Sequence, residues 1–216
     1  MDGKASPAAA VSVALATAVL LMAVAALENT VAPWAPFYVG YAVLASGLPF
    51  VIGAVNRRSF RRPSLRYALA AVGLALLLQG IVRLITAPAD LPGMFGRILT
   101  VAAARLAMRP ETVVRSYLIF IQAWAGFGEE VFYRGYLQQS LRTRFAPLPS
   151  IAGASFLFAF RHYTQVLLVW PHVDWGSATI WVSATFLVSV GFGWLYEKSG
   201  SLWPPILCHY LFNLLG

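Results

Sequence analysis

Polar groups able to do acid–base chemistry fall in three otherwise apolar stretches: Glu129, Glu130 and Arg134; Arg161 and His162; His209 and Asn213. Charged groups inside an apolar helix are costly, and they persist where they pair or function. Glu130 and Arg134 stand at i, i+4 with the acid first, the favourable order for an ion pair on one helix. Pairing makes both charges tolerable in a low-dielectric setting. Glu129 points about 100° away on a regular helix. It is left as the carboxylate without a local partner, a candidate to take and return a proton. His209 and Asn213, again i, i+4, put an imidazole and an amide on one helix face. Phe158 lies one turn before His162 and is expected to pack beside it.

The other nucleophiles and bases offer less. Cys208 adjoins His209 but points about 100° round the helix, with no base evident for a thiol mechanism. His172 lies between Pro171 and Asp174 and reads as a loop histidine. Ser155, Ser183 and Ser189 read as ordinary helix-packing hydroxyls.

The elements that must carry these residues are membrane spans. Of the 216 residues, 59% are hydrophobic and 11% charged, far from the balance of soluble domains. One cysteine excludes a disulfide scaffold, and 14% aromatics exclude disorder. About seven spans of roughly 20 residues would take about 140 positions, leaving only short loops. The expected fold is all-α, a polytopic transmembrane helical bundle. Its spans fall near 8–27, 37–55, 67–85, 113–141, 148–169, 178–196 and from 202 onward. Pro204 and Pro205 suit the first turn of the last helix. The stretch 90–110 reads as an interfacial amphipathic helix; an eighth span is the alternative. The chain reads as one structural domain, with N-terminal helices over 1–112 and the chemistry-bearing core over 113–216.

The net charge of +8 sits between the apolar runs. Arg57, Arg58, Arg61, Arg62 and Arg66 fall on the same side as Arg142, Arg144, Lys198 and Lys4 if 90–110 does not cross. The positive-inside rule makes that side cytoplasmic. These clusters point to bilayer headgroups and away from nucleic acid.

Three motifs then carry a resemblance. Residues 129–134, Glu-Glu-Val-Phe-Tyr-Arg, match EExxxR; residues 158–162, Phe-Ala-Phe-Arg-His, match FxxxH; residues 209–213, His-Tyr-Leu-Phe-Asn, match HxxxN. Their order, on three apolar helices, resembles the CPBP family of intramembrane proteases. That family groups the CAAX prenyl endopeptidase with bacteriocin-processing and self-immunity proteins. The resemblance covers roughly 120–216. Arg161 departs from it, because a small or apolar residue is expected before the motif histidine. Such an arginine suits contact with a substrate carboxylate or a lipid phosphate, or snorkelling to an interface.

The resemblance implies hydrolysis of peptide bonds in membrane-anchored protein or peptide substrates. Glu129 would be the general base, activating water with His162. His209 and Asn213 would form the oxyanion site, and Glu130 with Arg134 the structural pair. Peptide hydrolysis needs such a base and such donors. No metal is favoured, and Zn²⁺ held by Glu129, His162 and His209 is the alternative. The competing functional class is a non-proteolytic immunity or scaffold protein. Retention of Glu129, His162 and His209 favours the enzyme. A transporter fits less well, for want of an inverted repeat.

Overall fold

The computed structural model describes residues 6–28, 43, 46–52, 54–87, 109, 111, 122–168 and 175–215. Among these residues every regular element is helical. α1 spans Pro7–Glu28 and α2 Leu65–Thr86. α3, Gln122–Glu130, continues as a π-helix over Val131–Gln138 and regains α geometry over Gln139–Leu141. α4 is Pro147–Arg161, α5 Tyr163–Leu168, α6 Trp175–Ser199 and α7 Trp203–Leu215.

Small residues bring these helices together. On α1, Ala10, Ala14 and Ala18 are buried at four-residue spacing, followed by Leu21. With little side chain between backbones, dispersion contacts form at short range. Ala10, Ala14 and Leu21 pack on Phe132, Tyr133, Tyr136 and Leu137 of the π segment and on Ala154, Leu157 and Phe158 of α4. On α2, Ala71, Ala75 and Leu78 meet Val188, Phe192 and Leu195 of α6 and Cys208 of α7. The opposite face of α2 shows Leu65, Leu69, Val72 and Leu76 exposed at i, i+4, i+7, i+11. An apolar outer stripe over apolar packing is the pattern of a helix in lipid. Among the described residues, α2 and α6 are long and apolar enough to cross a membrane.

Two backbone devices set α7, which carries two of the expected site residues. At its start, Leu202 N–H donates to the Ser59 carbonyl (2.8 Å) and the Trp203 indole to that of Phe60 (2.9 Å). The Ser201 hydroxyl donates to the Arg61 carbonyl (2.7 Å), and Arg61 Nε to that of Gly200 (3.0 Å). The basic loop 56–66 is thereby clipped to the α6–α7 turn. At the other end, Gln79 donates to the Phe212 carbonyl (2.5 Å) and Arg83 to that of Leu215 (2.7 Å). Carbonyls in the last helical turn lack intrahelical partners, and here α2 supplies them.

Gly200 has φ +59°, a left-handed backbone that costs other residues about 1–2 kcal/mol. A Cβ there would also collide with the Arg61 guanidinium. Gly200→Ala therefore lowers stability by about 1–2 kcal/mol, read as earlier thermal unfolding in detergent. An unshifted midpoint would show that the clip does not hold α7.

α1, α2, α6 and α7 lie where apolar runs placed them, within about three residues. The expected helix over 148–169 is broken: α4 ends at Arg161, and His162 N–H turns back to the Ala159 carbonyl at 2.9 Å. Of the expected helix over 113–141, residues 122–141 are described, and a π segment replaces regular α geometry. Residues 37–42, 44, 45 and 53 of 37–55, all but residue 109 of 90–110, and 113–121 lie outside the described residues.

Candidate active site

α3, the end of α4 and α7 converge on His209. The π-helix begins directly after Glu130, and its wider turn is closed where Gln139 N–H reaches the Arg134 carbonyl five residues back. Such segments rotate side chains relative to a regular helix and recur at functional sites. Here Glu129 and Glu130, adjacent in sequence, both reach His209. Glu130 Oε1 lies 2.8 Å from His209 Nδ1, and Glu129 Oε2 lies 3.8 Å from Nε2. A carboxylate only accepts, so His209 Nδ1 carries the hydrogen bonded to Glu130. The ring thus turns Nε2 toward Glu129.

Glu130 and Arg134 form the expected pair, Nε to Oε2 at 3.1 Å, both side chains fully buried. Arg134 Nη2 also donates to the Ser189 carbonyl and hydroxyl, each at 2.7 Å. One turn on, Gln138 donates to the Gly193 carbonyl at 3.1 Å. The π segment is therefore tied to α6 by two buried polar links four residues apart. Ser189→Ala removes one acceptor from a buried guanidinium. It lowers stability by about 1–3 kcal/mol, measured as a downward shift in the unfolding midpoint; no shift would show that the backbone carbonyl alone suffices.

Phe158 is the hub of the apolar frame. Its ring lies 4.6 Å from that of His162, 5.8 Å from that of His209 and 5.1 Å from that of Tyr133. The Arg134 guanidinium stands 5.1 Å from the same ring, and that of Arg161 stands 5.7 Å from it. Cation–ring contacts gain strength when both groups are dry. Phe192 stacks on His209 at 4.7 Å, and Trp181 meets the His162 ring edge-on at 5.7 Å.

Arg161 overturns two expectations. It neither snorkels nor faces solvent, being 1% exposed. Nor is Glu129 left without a partner, because Arg161 Nη2 lies 2.5 Å from Glu129 Oε1. The same nitrogen is 3.3 Å from His162 Nε2. His162 Nδ1 is 2.8 Å from the Phe158 carbonyl, which can only accept. Nδ1 therefore carries the hydrogen, and Nε2 offers its lone pair to Arg161.

The remaining expected residues divide. Asn213 is half-buried one turn beyond His209, and its side chain makes no hydrogen bond among the described residues. Cys208 is fully buried in the apolar α2–α6–α7 cluster. His172 lies outside the described residues. Arg161 stands between Glu129 and His162, with His209 near the other Glu129 oxygen, and among the described residues no three His, Cys, Asp or Glu side chains stand so that they could hold a metal. Sequence reasoning missed Ser189, Phe192 and Trp181. Nothing in the order of residues separates them from neighbouring packing residues, because their roles come from α6 lying against α3 and α4.

Comparison with known proteins agrees with the motif region. Residues 111–215 match the family model described as type II CAAX prenyl endopeptidase Rce1-like. No curated protein and no solved structure matches the chain.

Proposed function

We propose, from the match of residues 111–215 to the Rce1-like type II CAAX prenyl endopeptidase family model, that this chain is an intramembrane endopeptidase. Its substrates are membrane-associated proteins cut near a C-terminal lipidated or anchoring segment, and its nucleophile is a water activated by Glu129. The observation that carries this reading is a buried carboxylate, Glu129, between two imidazoles, with His209 Nε2 at 3.8 Å and His162 across Arg161.

The reaction balances without a covalent enzyme intermediate. Water attacks the scissile carbonyl carbon as Glu129 takes its proton, assisted by His162 Nε2 once its lone pair turns from Arg161 to the water. Negative charge develops on the carbonyl oxygen, and His209 with Asn213 donates to it. For His209 Nε2 to donate while Nδ1 is held by Glu130, the ring must carry both hydrogens. Glu130 supplies the counter-charge, as the aspartate does for histidine in serine proteases. The C–N bond then breaks, and the proton passes from Glu129 to the leaving amine. A new carboxylate and a new amine result.

A second reading has its own support. Arg161 engages the very oxygen that a base would use, which suits a non-proteolytic scaffold or immunity protein. Comparing the termini of membrane proteins from cells with and without this chain separates the two. New C-termini that depend on it are expected; an identical set of termini would overturn the endopeptidase.

A further inference from the structure

Arg161 stands among side chains of the types that ligate metals. Its Nη2 lies 2.5 Å from a carboxylate oxygen of Glu129 and 3.3 Å from the lone pair of His162 Nε2. His209 Nε2 stands 3.8 Å from the other Glu129 oxygen. One carboxylate and two imidazoles, with room for a fourth ligand, are a common donor set for Zn²⁺ in hydrolytic sites. The hydrogen bond from His162 Nδ1 to the Phe158 carbonyl is the outer contact that commonly orients a ligating histidine. Yet these residues do not fit a metal as they stand, and a guanidinium already lies between Glu129 and His162.

We propose that Arg161 is the resident cation of this site. It takes the place of a divalent metal among Glu129, His162 and His209, and removing its charge and bulk converts those three residues into a metal site. The charge balance supports this. Glu130 is committed to Arg134 and to His209, so Glu129 is the carboxylate left to balance a cation. One guanidinium satisfies it. A divalent ion beside that guanidinium would add two positive charges next to a buried cation, where like charges repel strongly. Without Arg161, a buried carboxylate faces two imidazole nitrogens with no fixed counter-charge, which strongly favours uptake of a cation. The geometry is within reach. Metal–ligand distances near 2.0–2.2 Å ask Glu129 to close on the Nη2 position by about 0.4 Å and His162 by about 1.2 Å.

The assignment rests on geometry and charge alone. Its readout is metal binding, so its failure is distinguishable from failure of the proposed hydrolysis. The full chain, purified in detergent and stripped of metal, is titrated with Co²⁺. Bound ion is followed by visible absorption and by metal content after gel filtration. The wild type and Arg161→Lys, which keeps a cation in place, are expected to hold no cobalt. Arg161→Ser is expected to bind about one Co²⁺ per chain with the absorption of a four-coordinate ion. A second substitution, Glu129→Gln, should abolish that binding. If Arg161→Ser does not elute as a folded protein, Arg161→Gln serves in its place. Stoichiometric cobalt in the wild type, lost on Glu129→Gln, would overturn the proposal. So would a folded Arg161→Ser or Arg161→Gln protein that binds none, or an Arg161→Lys protein that binds as Arg161→Ser does.

Discussion

Glu129→Gln is expected to lower peptide cleavage by about 10²–10⁴-fold, the usual contribution of a positioned general base. The amide keeps the shape of the carboxylate and still offers Arg161 an acceptor oxygen, but it cannot take the proton of the attacking water. Arg161 loses the ionised Glu129 at the same time, so the variant is also somewhat less stable. The rate is therefore compared at equal amounts of folded protein, with initial velocities on a membrane-anchored peptide substrate followed by mass spectrometry. The loss should lie in kcat rather than in KM, because a proton transfer made in the transition state has been removed. A normally folded Glu129→Gln protein that cleaves at the wild-type rate would reject the assignment of Glu129 as base. A fall confined to KM would instead place Glu129 in substrate binding.

Arg134→Met should give the largest loss of stability. Glu130 and Arg134 are both fully buried and joined at 3.1 Å. Removing one partner of such a pair leaves an uncompensated buried charge and costs about 3–5 kcal/mol. Methionine retains much of the apolar volume over Phe158 and Phe192, so the cost isolates the charge. Arg134→Met combined with Glu130→Gln should recover part of that loss, since neutral partners no longer strand a charge. Equilibrium unfolding of both proteins in mixed detergent gives the two values. Equal destabilisation by the single and the double variant would show that lost packing and hydrogen bonds, rather than a stranded charge, set the cost. The double variant should still cleave poorly, because His209 Nδ1 has lost its ionised acceptor.

These two residues show what a linear reading captures. Glu130 and Arg134 are four residues apart on one helix, so their meeting is dictated by helical rise and turn. Phe158 and His162 meet for the same reason, as do the turns of α1 and α2 whose apolar lengths define them. All of these are local contacts, and local geometry is legible from spacing. The motif residues of three helices could likewise be recognised as out of place in apolar surroundings, because burying them is costly wherever the helices lie.

The pairing of Glu129 with Arg161 was not legible. The two lie 32 residues apart, on α3 and on the last turn of α4, and no pattern within either helix points to the other. Their contact depends on how α3 and α4 cross and on how far each is rotated about its axis. The π segment adds to this, because it follows Glu130 and changes the angular register of everything after it. Ser189 became a partner of Arg134 only because α6 lies against that segment. His209 came to stand between two adjacent carboxylates only because α7 is held at both ends, by the basic loop and by Gln79 and Arg83.

The sequence by itself determined the class of the protein and its chemistry-bearing residues. An all-helical chain with few charges, and with ionisable groups set into apolar stretches at Glu129–Arg134, Arg161–His162 and His209–Asn213, follows from composition and helical spacing. Only the tertiary structure decided which of those groups share a hydrogen bond, which nitrogen of each histidine faces the site, and that a guanidinium stands at its centre. The reason is physical. Burial cost and helical periodicity act along one element and are written in residue order. Helix rotation and crossing are set by many small packing contacts at once, and no single residue encodes them.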